Sequence, residues 1–281
     1  MDEIAMKRTF LAKLHRKGLY CIIGALLLLV GIPLYQFLIL IPSGYSNALA
    51  TQSLALHWIN THSFLFLGYR ALLFAGFAFM LSMPFTLFRI IVAQEILGLE
   101  VDEQENDDRE EVVQDEAEDQ SDTHLEDGMP AFAWRGKGFA VLAAWSGLFG
   151  LLCLALGILV STLYLVISAA SLPSIATNLE NVAPLTGFLA ILSYTVGGGL
   201  LALSCLFFGA VIARSGLKLW PGIWVAFAYM ALAIAVLFSV SAAEVAFAPI
   251  TGQSLITTFA ILLFSVWVLW FGVMLVRLKP E

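Results

Sequence analysis

Six runs of apolar residues, each about 23 residues or longer, leave this chain one solvent that suits it. They cover Leu19–Ile41, Ser63–Phe88, Gly138–Ser171, Leu185–Ala213, Trp220–Phe247 and Ser254–Val276. A hydrocarbon core of about 30 Å takes about 20 helical residues at 1.5 Å each. Lipid admits only segments whose backbone polar groups bond internally. The expected fold is therefore all-α: an integral membrane protein with six transmembrane helices, arranged as three hairpins that each leave the cytoplasm and return to it. Composition agrees, with 60% hydrophobic residues, 12% charged residues and a mean hydropathy of +0.90, all outside the range of soluble domains. The first run is longer than a signal-peptide core and no small-x-small cleavage site follows it, so it is expected to be retained. The third exceeds one perpendicular crossing and is expected to tilt or to extend beyond the lipid.

The net charge of −7 conceals a basic protein with an acidic insert. Residues 100–127 hold 15 of the 21 carboxylates against a single base, Arg109; the rest of the chain carries 13 Lys and Arg against 6 Asp and Glu. Like charges so closely spaced cannot bury a core, which predicts a disordered, solvated loop ended by Gly128 and Pro130. It lacks the glycine and terminal glutamate of an EF-hand. The chain thus divides into a basic tail (1–18), a first hairpin with a helix extension (19–99), an acidic loop after the second helix (100–130) and a four-helix region (131–281). In the tail, Lys7, Arg8, Lys13, Arg16 and Lys17 alternate with Ile4, Phe10, Leu11 and Leu14. That pattern fits an amphipathic helix on an anionic leaflet or a tail that sets topology. With both termini in the cytoplasm, 13 of the 14 Lys and Arg fall on that side and the last, Arg70, lies within a span. The positive-inside rule is then fully obeyed, and a bacterial cytoplasmic membrane is the expected setting. Tyr20, Trp134 and Trp220 at inner ends, with Tyr45 and Trp58 at outer ones, fit interfacial belts.

The last two hairpins resemble each other. Pro184-Leu185-Thr186-Gly187 opens the fourth run and Pro249-Ile250-Thr251-Gly252 the sixth; Phe208-Gly209 followed by Arg214 closes the fourth and Phe271-Gly272 followed by Arg277 the sixth. Offsets of 65 and 63 residues differ by a two-residue gap, which fits a tandem duplication in parallel orientation. The first hairpin, ending at Phe88-Arg89, reads as a more divergent copy.

Motifs of soluble catalysis are missing: no Walker loop, GxGxxG, GxSxG or HExxH, and no nucleic-acid module. No cofactor is expected and no enzymatic role. Cys21, Cys153 and Cys205 are widely separated in apolar runs and read as buried small residues. His57 and His62 are weak metal candidates, because five-residue spacing does not put them on one helical face and no acid stands near. In the fourth run Tyr194, Gly197, Gly198 and Gly199 would line a pathway if the helix loosened there, or serve close helix packing. Trp267 and Trp270 would flank a pocket or fill a core. Arg70 and Glu244 are the formal charges within the outer halves of the runs, with opposite signs. Insertion of an isolated charge costs at least about 2.5–3.5 kcal/mol, so each needs a partner or water: either the two form an ion pair, which would close the six spans into one bundle, or Arg70 snorkels outward alone and Glu244 sits among the headgroups.

Two function classes follow. One is an anchor or interaction component whose acidic loop at 100–127 binds a basic protein partner or cations, with the lipid bilayer around the rest. The other is a small-molecule or ion transporter or channel using the fourth helix with Arg70 and Glu244.

Overall fold

The computed structural model describes residues 2–48, 52–94, 131–170, 185, 188–247 and 255–277. The acidic segment, the connections around residues 172–184 and 248–254, and the paired Pro-Leu/Ile-Thr-Gly openings lie outside the described residues, apart from Leu185. Among the described residues, six helices are long and apolar enough to cross a membrane: Ala12–Leu40, Ser63–Gln94, Gly138–Ala170, Phe188–Leu219, Gly222–Phe247 and Leu255–Arg277. They are called the first to sixth spans. Each packs against the span before and after it, and the sixth packs against the first. The chain is therefore a ring of six antiparallel helices. One end, the basic end, carries Lys17, Arg89, Arg214, Lys218 and Arg277. At the other, the far end, lie the residues between the first and second spans. Outward faces show large apolar side chains on every span, among them Leu38, Phe64, Leu163, Leu206, Val236 and Phe259. No water-soluble fold exposes such a belt on all sides, and lipid is the solvent that suits it.

Local irregularities trace to particular residues. Pro33 has no N–H to give, and π-helical turns at Leu27–Gly31 and Gln36–Leu40 flank the short α-helical stretch Ile32–Tyr35 that holds it, absorbing the lost bond. In the second span the α-helix stops at Met80, and Leu81-Ser82 form a turn before Pro84, again the place where a proline ring crowds the carbonyl four residues earlier.

Glycine sets several of the closest helix approaches. A methyl group on Gly272 would lie 2.8 Å from the Gly18 carbonyl oxygen, and one on Gly209 2.9 Å from that of Ala228. The two Phe-Gly marks thus hold equivalent places, one packing the fourth span on the fifth, the other the sixth on the first. In the first hairpin Pro84 stands where the glycine would, five residues before Arg89, and its ring meets Gly147 of the third span. Around the seam of the fifth and sixth spans, Trp267 stacks on Phe227 at 4.6 Å and donates its indole N–H to the Phe227 carbonyl at 3.0 Å. Trp267 is core, and Trp270 packs edge-on to the same Phe227 ring at 6.1 Å.

Two expectations change, and a segment on which the sequence is silent proves ordered. The segment between the first two spans is structured: Tyr45–Ala48 and Gln52–Thr61 are helical, and the second of these lies against the third span. Trp58 is consequently buried rather than interfacial, its ring 4.8 Å from Tyr45 and its N–H donated to the Ser43 carbonyl at 2.8 Å. Trp220 is likewise buried, against Trp224 at 5.3 Å. Tyr20 is partly exposed as expected, whereas the Trp134 side chain lies outside the described ones. The basic tail does not turn into a separate helix, because Asp2–Leu26 is one uninterrupted α-helix continuing the axis of the first span. Gly18, the only weak helix former near the boundary, is held by its contact with the sixth span. The third span is part of a 40-residue helix, Ala131–Ala170, about 60 Å long at 1.5 Å per residue.

Candidate functional site

Polar side chains in the far half of the ring gather at one level. Pro33 and its π turns bring Gln36 round to donate to the Tyr69 hydroxyl at 2.9 Å, while Tyr35, one residue earlier, lies over Gly68 and donates to the Leu65 carbonyl at 3.0 Å. The next residue, Arg70, sends Nη2 to Ser161 of the third span at 2.9 Å and lies over the Phe66 ring at 5.4 Å. Ser161 donates its own hydrogen bond to the Ile158 carbonyl at 3.1 Å. Tyr69 lies within electrostatic reach of Tyr45, Arg70 and Tyr194, so the fourth span enters the same level. Tyr194 belongs to the π-helical stretch Ile191–Gly197. Its neighbour Thr195 donates to the Ala242 carbonyl of the fifth span at 3.3 Å, two residues from Glu244. Ser241 and Thr257 share a hydrogen bond at 2.7 Å, joining the sixth span. At Tyr45, outside the spans, burial pushes the phenol above its usual value and the Arg70 charge acts in the opposite sense.

Arg70 and Glu244 are not bonded to each other. Ser161 is the hydrogen-bond partner of the arginine, and the second and fifth spans stand opposite in the ring order. The first and third hairpins are neighbours all the same, through the first and sixth spans; packing closes the bundle without that ion pair. Both charged groups keep one unsatisfied hydrogen-bonding atom, since Nε of Arg70 and Oε2 of Glu244 are buried without a hydrogen-bond partner. Orphaned buried atoms of charged groups are costly, and two of opposite sign in one half of the bundle mark it as the candidate site.

The glycines of the fourth span face three ways. Gly197 approaches the Gly150 carbonyl and Cys153, Gly198 faces Phe238, and Gly199 has nothing within 4 Å of the place a methyl would take. Gly199 instead borders an outer groove of about 280 Å³ between the fourth and fifth spans, with Ala202, Leu206, Ala235 and Ser239. The helix distortion covers residues 191–197, so it includes Tyr194 and ends on the first glycine of the triplet, while Gly198 and Gly199 begin the α-helix Gly198–Leu219. His62 stacks on Trp58 at 4.9 Å and bonds Thr61 through Nδ1, while His57 is on the exposed face of its helix. Among the described residues no three His, Cys, Asp or Glu side chains converge to hold a metal ion.

Ser161, Tyr69 and Gln36 were not singled out from the sequence. The available signal was a glutamine and a tyrosine beside an arginine inside otherwise apolar runs; what links them is a contact between spans. In this polar girdle Arg70 supplies a cation on the second span and Glu244 a carboxyl on the fifth, and the phenols of Tyr45 and Tyr69 stand near the arginine. Compared with known proteins, the chain matches no family model, no curated protein and no solved structure; the fold itself establishes a polytopic α-helical membrane protein.

Proposed function

We propose that the chain is a membrane-anchored interaction component whose acidic segment, residues 100–127, faces the cytoplasm and binds a basic partner or cations. The observation that carries this reading is the segregation of charge, with 15 carboxylates in 28 residues of a chain otherwise basic. Where the helices end supports it. The second span runs to Gln94, whose side chain donates to the Leu219 carbonyl at 2.9 Å, and the next described helix begins at Ala131. The helices on either side of the acidic segment in the sequence thus end and begin at the basic end. The test is co-purification in mild detergent of the full chain and of a form lacking residues 102–126. A stoichiometric basic protein that is lost on deletion and with rising salt is the expected result. An identical set of bound proteins in both forms sinks the reading.

A second reading, a transporter or channel for a small polar solute, is favoured by the orphaned Nε of Arg70 and Oε2 of Glu244. Both residues stand where intramembrane charge is rare and generally functional. Mass spectrometry of small molecules released from the purified protein tests it. A solute present in the native chain and absent from Arg70→Gln and Glu244→Gln supports it, whereas the same profile in all three removes it.

A further inference from the structure

At the basic end a cleft of about 120 Å³ opens between the first and second spans, lined by Lys13, Leu14, Arg16, Lys17, Thr86 and Arg89. Its four cations come from two helices. Lys13, Arg16 and Lys17 stand at spacings of three and four, hence on one helical face, and Arg89 approaches from the second span. Lys17 lies within electrostatic reach of the other three. Among the described residues no carboxylate lines the cleft. The floor is closed by Leu14 and Thr86, both buried, and the Thr86 hydroxyl already donates to the Ser82 carbonyl at 2.7 Å. Four like charges converging with no acid to balance them call for an anion.

The surface just beyond the cleft narrows the choice of anion. One turn deeper, Leu19 and Tyr20 are exposed, and the Tyr20 ring lies 6.0 Å from Phe79 of the second span, itself exposed. The same seam is therefore cationic at headgroup depth and apolar immediately below, an arrangement matched to an amphiphile. We propose that this cleft binds the phosphate of an anionic phospholipid of the leaflet at the basic end, with the acyl chains lying along Leu19, Tyr20 and Phe79. Basic pockets between membrane helices hold lipid phosphates in this manner. The phosphate fits between Lys17 and Arg89, which contribute charge rather than a single fixed geometry, and Lys13 and Arg16 raise the local potential. Bound lipid would tie the first span to the second at the end where Gly18 also ties it to the sixth.

Native mass spectrometry of the full chain in detergent tests this, titrating dioleoyl phosphatidylglycerol against dioleoyl phosphatidylcholine. One phosphatidylglycerol retained per chain is expected, with affinity falling about thirtyfold in Lys17→Gln/Arg89→Gln, two charges each acting at headgroup distance. Lys218→Gln/Arg277→Gln, at the same end but outside the cleft, should bind as the native chain does, and Lys17→Arg/Arg89→Lys should retain the lipid. If the first double variant fails to fold, Lys13→Gln/Arg16→Gln at exposed positions carries the test. Equal retention of the two lipids, or no loss in the cleft variants, overturns the proposal. So does displacement of phosphatidylglycerol by millimolar inorganic phosphate, which would make the site one for a soluble anion. Binding that emerges only after deletion of residues 102–126 overturns it as well, naming the chain's own acidic segment as the occupant.

Discussion

Replacing Gly272 by alanine should unfasten the ring at its closing seam. A methyl group there would lie 2.8 Å from the Gly18 carbonyl oxygen, 2.8 Å from Cγ1 of Ile22 and 3.1 Å from the Ile22 nitrogen. Two of these are backbone atoms of a regular helix and cannot swing aside. Ordinary contact begins at 3.4 Å, so the first and sixth spans must separate by 3.4 − 2.8, or about 0.6 Å, along the whole seam. Overpacking of this kind costs about 1–3 kcal/mol, against which alanine returns up to about 1 kcal/mol of helix propensity. A net loss of about 1–2 kcal/mol is expected, read as a lower thermal midpoint in detergent by size-exclusion recovery. Gly199→Ala is the matched control, because its methyl meets nothing within 4 Å; it gains the propensity term alone and should be neutral or stabilising. Gly18→Ala faces Cβ of Leu275 at 2.8 Å across the same contact, so the double variant should lose less than the two single losses added. Stability of Gly272→Ala equal to that of the native chain, or a loss in Gly199→Ala as large, would refute the closed ring.

Other outcomes follow from the girdle and the core. Ser161→Ala removes the hydrogen-bond partner of Arg70 and should cost about 1.5–3 kcal/mol, the range for a bond to a charged group; Arg70→Glu combined with Glu244→Arg should recover nothing beyond the sum of the single changes, and recovery by the double variant would restore the direct ion pair. Trp267→Phe keeps the stack on Phe227 but leaves that carbonyl without its indole donor, for about 1 kcal/mol, whereas Trp267→Ala should cost about 3–5 kcal/mol; equal thermal midpoints for the two would deny the hydrogen bond its role. In a chain freed of native cysteines, cysteine at Ser53 or Asn178 should react with an impermeant thiol reagent from outside intact cells, and cysteine at Ser121 or Ser215 should not. Labelling at Ser121 would invert the orientation.

Hydropathy and length suffice for the six spans because a bilayer imposes a one-dimensional test: enough apolar residues in a row, with the backbone bonded within the segment. Pro33 and Pro84 likewise announce their own irregularities, since the missing N–H is a property of the residue. The clustering of bases at one set of ends is equally plain in the sequence. What the linear pattern lacks is direction around each helix. In water a core face differs from an exposed face by polarity, but in lipid both are apolar, so Leu38 facing outward and Leu40 buried look alike. Small residues and shape choose the partner, which is why Gly272 meeting Gly18, and with it the closure of the ring, required the tertiary structure. The same holds for the girdle. The charges of Arg70 and Glu244 are conspicuous in the sequence, yet Ser161, rather than the opposite charge, stands within reach of the arginine because the third span lies beside the second and the fifth lies across the ring. The helix Gln52–Thr61 escaped detection for a related reason: its uncharged sequence reads as a connector, and only the tertiary structure brings the third span, and for Trp58 the rings of Tyr45 and His62, against its buried face.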